Sequence, residues 1–158
     1  MIGRGLRIAV GVVILDQLTK HLVLATFGKD ACVEVSERVT AFFDLVSTCN
    51  RGMSFGLFNG DGGLNALLFS LVAAAIVTAL IYWLRRVESP LLAIAIGLII
   101  GGAIGNVADR IRFGAVVDFL DFHAGSWHWP AFNVADSAIS IGVAVMLVDG
   151  LLLRREAH

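Results

Sequence analysis

Charge is scarce in this chain, and concentrated basic charge is missing altogether. Only 16% of its 158 residues are charged and the formal net charge is −1. Without a Lys/Arg cluster there is no surface for neutralising phosphates, which removes nucleic acid from the expected partners. Cysteine is nearly absent too: Cys32 and Cys49 belong to no CxxC pair and no Cys/His cluster of zinc-site spacing. No metal framework follows, and neither a metal nor another cofactor is expected. Both cysteines fall in a segment that the span pattern places outside the membrane, where a disulfide is permitted. They are read here as two free, small apolar side chains. Internal repeats and low-complexity stretches are lacking as well.

What is abundant is hydrocarbon. Hydrophobic residues make up 58% of the chain and the mean hydropathy is +0.84, a composition of membrane proteins. Crossing the hydrocarbon layer takes about 20 mostly apolar residues. Four windows qualify, roughly 6–27, 64–84, 90–108 and 134–153, leaving 28–63 and 109–133 outside the bilayer. The expected fold is therefore a single all-α polytopic membrane domain over 1–158, with four transmembrane helices. The first window follows Arg4 and Arg7 as a signal peptide would, but it meets Asp16 and Lys20 and has no A-x-A exit, so it reads as a retained helix.

Arg4 and Arg7, Arg85 and Arg86, and Arg154 and Arg155 flank the spans on one side. The bias of Lys and Arg toward cytoplasmic flanks then places both termini in the cytoplasm and segments 28–63 and 109–133 outside. Those outer segments also carry Lys29, Arg38, Arg51, Arg110 and Arg112, together with most of the acidic residues. Segment 31–48 interleaves Val33, Val35, Val39, Phe42, Phe43, Leu45 and Val46 with polar residues, the pattern of a small sheet. Residues 113–122 are rich in aromatic and β-branched types, and Trp127, Trp129 and Pro130 suit a headgroup boundary. A small β-rich outer subdomain is expected there.

The polar residues inside the spans are the informative ones, because an ionisable group at mid-bilayer costs about 2.5–3.5 kcal/mol even on lenient scales. Asp16 and Lys20 are four apart and share a helix face, so they either pair structurally or meet a substrate. In the third span Gly97, Gly101, Gly102 and Gly105 permit close helix packing. That span ends in polar residues, with Asn106, Asp109 and Arg110 on one face at the outer boundary. The fourth span starts at the same depth with Asn133 and Asp136, whose spacing also fits a capping box that needs no catalysis. Asp118 lies among Val116, Val117, Phe119 and Leu120, an apolar setting in which a carboxylate must find a partner or a proton.

Five stretches carry a resemblance. They are Asp16-Gln17-Leu18-Thr19-Lys20, Asn50-Arg51-Gly52-Met53-Ser54-Phe55-Gly56, Gly102-Ala103-Ile104-Gly105-Asn106-Val107-Ala108-Asp109-Arg110, Val116-Val117-Asp118-Phe119 and Phe132-Asn133-Val134-Ala135-Asp136-Ser137. In this order, and with four spans, they resemble the lipoprotein signal peptidases, or signal peptidase II, over nearly the whole chain. Arg51 and Met53 stand where small residues are frequent in that family.

The resemblance implies an aspartic endopeptidase of the bacterial cytoplasmic (inner) membrane. Such an enzyme removes the signal peptide of a diacylglyceryl-modified prolipoprotein just before the lipidated cysteine. It implies Asp118 and Asp136 as the catalytic pair. Asp16, Lys20, Asn50, Gly52, Asn106, Asp109, Arg110 and Asn133 are implied as substrate-binding or supporting positions. Partners are then the prolipoprotein and membrane lipid, and a monomer is expected. Two carboxylates hydrolyse a peptide when one is ionised and the other protonated. The start of the fourth helix favours Asp136 as the anion and the apolar setting favours Asp118 as the acid. Gly52 and Gly56 would let the outer segment move as a flap.

Other classes remain open on residues alone. Asp16, Lys20, Asp109 and Asp136 suit a proton or ion transporter, and the glycine-rich span suits a membrane assembly factor. Ser54 and Ser137 are possible nucleophiles, but neither has a Gly-x-Ser-x-Gly setting. His123 and His128 are possible bases or ligands, read here as interfacial side chains.

Overall fold

A computed structural model of the chain describes residues 1–28, 33–52 and 62–150. The order of elements is α1 (Ile2–Phe27), β1 (Val35–Arg38), β2 (Phe43–Asn50), α2 (Gly62–Leu84), α3 (Pro90–Phe113), β3 (Val116–Ala124), β4 (Trp127–His128) and α4 (Val134–Val148). Among the described residues three helices, over Ile2–Phe27, Leu64–Leu84 and Pro90–Phe113, are long and apolar enough to cross a membrane, and α4 is a shorter apolar helix.

Helix α1 shows why the chain is so apolar. Val10, Ile14, Leu18 and Leu22, spaced by four, all point outward, whereas Gly5, Ala9, Asp16 and Lys20 are buried. The hydrocarbon stripe faces out and the polar stripe faces in, the reverse of a water-soluble helix and the arrangement lipid demands. Helix α3 is the hub, packed against α1, α2 and α4. Between helices in lipid there is little hydrophobic drive, so association relies on close backbone approach. The α3 glycines supply it: a Cβ on Gly97 would lie 2.4 Å from the Gly5 carbonyl of α1, and one on Gly102 would lie 2.4 Å from the Ala135 carbonyl of α4. Around them Ala9, Leu84, Val87, Leu92, Ala93, Ile96 and Ile100 form the main apolar cluster.

Helix α3 starts cleanly, with Ser89 Oγ accepting the Leu92 N–H at 3.2 Å and Pro90 in the first turn. It ends at Gly114, whose φ of 70° is left-handed. The helix therefore continues past the expected end of the span at 108, keeping Asp109 and Arg110 on the helix face that their spacing implies and adding Arg112. Hydropathy falls at this point but hydrogen bonding does not, because Asp109 has buried partners.

The expected sheet is present as four antiparallel strands in the order β1-β2-β3-β4. In the β2–β3 pairing Leu45 faces Leu120 and Thr48 faces Asp118, so β2 contains one extra residue at a bulge. Such an insertion re-aims the neighbouring side chains, and here it lies beside Asp118. Cys49, at the end of β2, is disulfide-bonded, which overturns the expectation of two free thiols. Cys32, Ser54 and Gly56 lie outside the described residues.

Candidate active site

Asn133 precedes α4 with an extended backbone and acts as its N-cap. Its Oδ1 accepts the Asp136 N–H at 2.9 Å, and Asp136 Oδ2 accepts the Asn133 N–H at 3.3 Å. The capping box anticipated from spacing is thus formed, and it does not use up either residue. The Asn133 side-chain nitrogen also donates to Asp118 Oδ1 at 2.7 Å, to the Val117 carbonyl at 3.2 Å and to Asn106 Oδ1 at 3.3 Å. Asn106 in turn donates to Asp136 Oδ1 at 2.8 Å. Asp118 and Asp136 therefore stand at the two ends of one relay through Asn133 and Asn106.

The surroundings of these two carboxyls differ. Asp118 is 2% exposed. Burial, followed by the negative charge of Asp136, raises its pKa from the ordinary 3.8 to about 7, against the opposing pull of Asn50, Asn133 and Lys20. Desolvation disfavours the charged form and a like charge nearby does the same. Asp136 is more open. It lines a cleft of about 580 Å3 together with Trp129, Phe132, Ser137, Ser140 and Ile141, and each of its oxygens accepts a hydrogen bond.

Beneath the pair lies a buried charge network. Lys20 Nζ is 2.9 Å from Asp16 Oδ2, 2.7 Å from Asp109 Oδ2 and 3.2 Å from Asn106 Oδ1. Gln17 donates to Asp109 Oδ1 at 2.9 Å and to Asp16 Oδ2 at 3.2 Å. The i, i+4 pairing expected of Asp16 and Lys20 is formed, and Asp109 joins it instead of ending a helix in solvent. Gly105 makes room for it: a Cβ there would lie 2.6 Å from Asp16 Oδ2.

The sequence-predicted positions thus gather at one end of the bundle. Asn50 lies close enough to Asp118 to favour its ionised form, and its Oδ1 accepts the Gly52 N–H at 2.9 Å. Gly52 has a φ of +75° and sits on the Phe69 ring, where a Cβ would come within 2.3 Å. Arg110 differs from its neighbours: its guanidinium lies 5.5 Å over the Phe69 ring, with a long 3.5 Å bond to the Asn106 carbonyl.

Gln17 takes part as well, and a polar amide beside Asp16 in an apolar span is the sequence signal for it. His123 and His128 stand apart from the relay, on the sheet. They stack at 4.8 Å and pair with Asp44 at 3.1 Å and Asp121 at 2.8 Å respectively. Ser137 Oγ donates to the Asn133 carbonyl at 3.0 Å, a helix-end bond to an acceptor that cannot serve as a base.

Comparison with known proteins decides the family, since the family model described as "Signal peptidase (SPase) II" matches residues 8–152. The chain belongs to the signal peptidase II family. Curated relatives named "Lipoprotein signal peptidase" include one from Methylorubrum extorquens (strain PA1), 47% identical over 87% of this chain and 79% of the relative. Another, from Paraburkholderia phymatum, is 44% identical over 97% of this chain and 90% of the relative. A solved bacterial membrane enzyme, obtained in meso at 1.9 Å resolution, superposes with a TM-score of 0.82 at 33% identity, covering 96% of this chain and 95% of that one. The fold is that of a membrane enzyme, with apolar helices and a small antiparallel sheet.

Proposed function

We propose that this signal peptidase II family member removes the signal peptide from diacylglyceryl-modified bacterial prolipoproteins, cutting before the lipidated cysteine by an aspartic mechanism. The single observation that carries the mechanism is the Asp118–Asn133–Asn106–Asp136 relay, which holds two carboxyls in unlike surroundings at one site. Asp136 takes a proton from a water in the cleft as the water oxygen bonds to the scissile carbonyl carbon. Asp118 gives its proton to the carbonyl oxygen. Collapse of the tetrahedral intermediate breaks the C–N bond, the proton on Asp136 passes to the leaving nitrogen, and Asp118 recovers its own.

On this reading the four helices span the inner membrane with both termini cytoplasmic, and the sheet lies at the outer face with Trp127 and Trp129 at the headgroups. The carboxyls then meet a signal-peptide helix where it leaves the lipid. The chain acts as one domain and as a monomer, with Asn50 and Gly52 at the rim. The transporter alternative lacks support because Asp16, Asp109, Asp118 and Asp136 cluster at one level and do not step across the bundle. Purified protein should cleave a lipid-modified prolipoprotein in the presence of chelators and serine reagents. It should carry no proton flux in sealed liposomes, and flux without cleavage would reverse the assignment.

A further inference from the structure

The two carboxylates that hold Lys20 each have a second partner. Asp16 Oδ1 accepts the Ala135 N–H at 3.0 Å, and Asp109 Oδ2 accepts the Val117 N–H at 3.1 Å. Ala135 and Val117 are the residues immediately before Asp136 and Asp118. These bonds join positions 119 and 8 residues apart, and one ammonium ties them to each other. Lys20 has three N–H donors, and all are engaged, by Asp16, Asp109 and Asn106. The third fixes the sense of the Asn106 amide. With Oδ1 held by Lys20, the nitrogen is turned to Asp136 Oδ1 at 2.8 Å. Asp16, Lys20 and Asp109 are 0%, 2% and 1% exposed, so all three are closed to solvent among the described residues.

From this geometry we infer that Lys20, Asp16 and Asp109 are positioning residues that do not touch substrate: a buried clamp that sets both reacting aspartates through the backbone N–H before each one and through Asn106. The inference rests on the two-aspartate reading above. Charge-assisted bonds to backbone N–H groups are about twice as strong as neutral ones, and a misplacement of 1 Å at a reacting group costs on the order of a hundredfold in rate. Burying three charges is a poor route to stability alone; here the network joins α1, α3, β3 and α4 at the site.

The test compares kcat and KM for a lipid-modified prolipoprotein in purified Asp16→Ala, Asp16→Asn, Asp109→Ala and Asp109→Asn variants with matched thermal unfolding. Asn keeps a side-chain oxygen for the backbone N–H, whereas Ala does not. The clamp predicts that kcat falls at least about tenfold in the Ala variants with KM within about twofold, and that Asn restores most of kcat. A raised KM with kcat retained would place these groups on the substrate, and equal kcat for Ala and Asn would remove the backbone bonds from the account; either overturns the clamp.

Should the Ala variants not fold, the charge-balanced double variant Lys20→Met/Asp109→Asn decides. Its kcat should fall below that of Asp109→Asn at unchanged KM, because Asn106 is released, and an unchanged kcat overturns the clamp. Asp118→Asn and Asp136→Asn, measured alongside, separate the two readings. Cleavage surviving in either ends the two-aspartate reading itself, whereas loss in both with a raised KM in Asp109→Asn overturns the clamp alone.

Discussion

Asn133 donates its side-chain nitrogen to Asp118 Oδ1 at 2.7 Å while its Oδ1 caps the first turn of α4 that carries Asp136. One residue therefore ends a loop, starts a helix and orients an acid. Removing it should show in two readouts. Asn133→Ala is expected to lose about 0.5–2 kcal/mol of stability from the cap. Cleavage should fall by roughly tenfold to a hundredfold, the equivalent of about 1.4–2.8 kcal/mol for leaving a buried acceptor without its donor. Thermal unfolding and initial rates in detergent check both; a stability loss with full activity would reduce Asn133 to a cap.

Asp118 makes the protein's stability depend on pH in a definite direction. Its folded pKa is raised, from 3.8 to about 7, so the stabilising contribution of its neutral form is complete below the unfolded value. That contribution is lost as pH climbs through the folded one. Asp118→Asn, which cannot ionise, should match wild type near pH 4, gain on it between there and pH 7, and keep a constant advantage above. Unfolding temperatures at pH 4, 5.5, 7 and 8.5 check this, and an advantage that shrinks with pH would contradict the assignment. Under the proposed mechanism, wild-type cleavage should also decline as pH rises through about 7, where Asp118 loses its proton.

Gly105→Ala inserts a Cβ 2.6 Å from Asp16 Oδ2, whereas Gly11→Ala meets nothing within 4 Å. Overpacking of the first kind costs about 1–3 kcal/mol. The first variant should lose both stability and cleavage and the second neither, as thermal unfolding and initial rates will show.

Ser137→Ala should retain activity within about threefold, under 1 kcal/mol in barrier, because its hydroxyl only closes a helix-end bond to the Asn133 carbonyl. Abolished cleavage in a folded variant would revive a serine mechanism.

Much of this arrangement was legible in the sequence because it follows local rules. The apolar windows marked the helices, the four-residue spacing of Asp16 and Lys20 marked a pair, and Asn133 with Asp136 marked a cap. The capping box that the spacing fits is formed through Asn133 Oδ1, and the Asn133 nitrogen reaches Asp118 besides. What was not legible depends on long-range partners. Nothing local to Asp109 announces the Val117 N–H or the ammonium of Lys20, so its helix face was legible but its partners were not. The bulge opposite Asp118 and the disulfide at Cys49 are likewise set by which segments meet, which hydrophobic period does not encode.

The most direct measurement is cleavage of a diacylglyceryl-modified prolipoprotein by wild type, Asp118→Asn and Asp136→Asn at matched folding. The account predicts loss of cleavage in both variants, with wild type unaffected by chelator. Cleavage that survives either change would contradict the two-aspartate mechanism and leave Asp136 as the acidic half of a capping box.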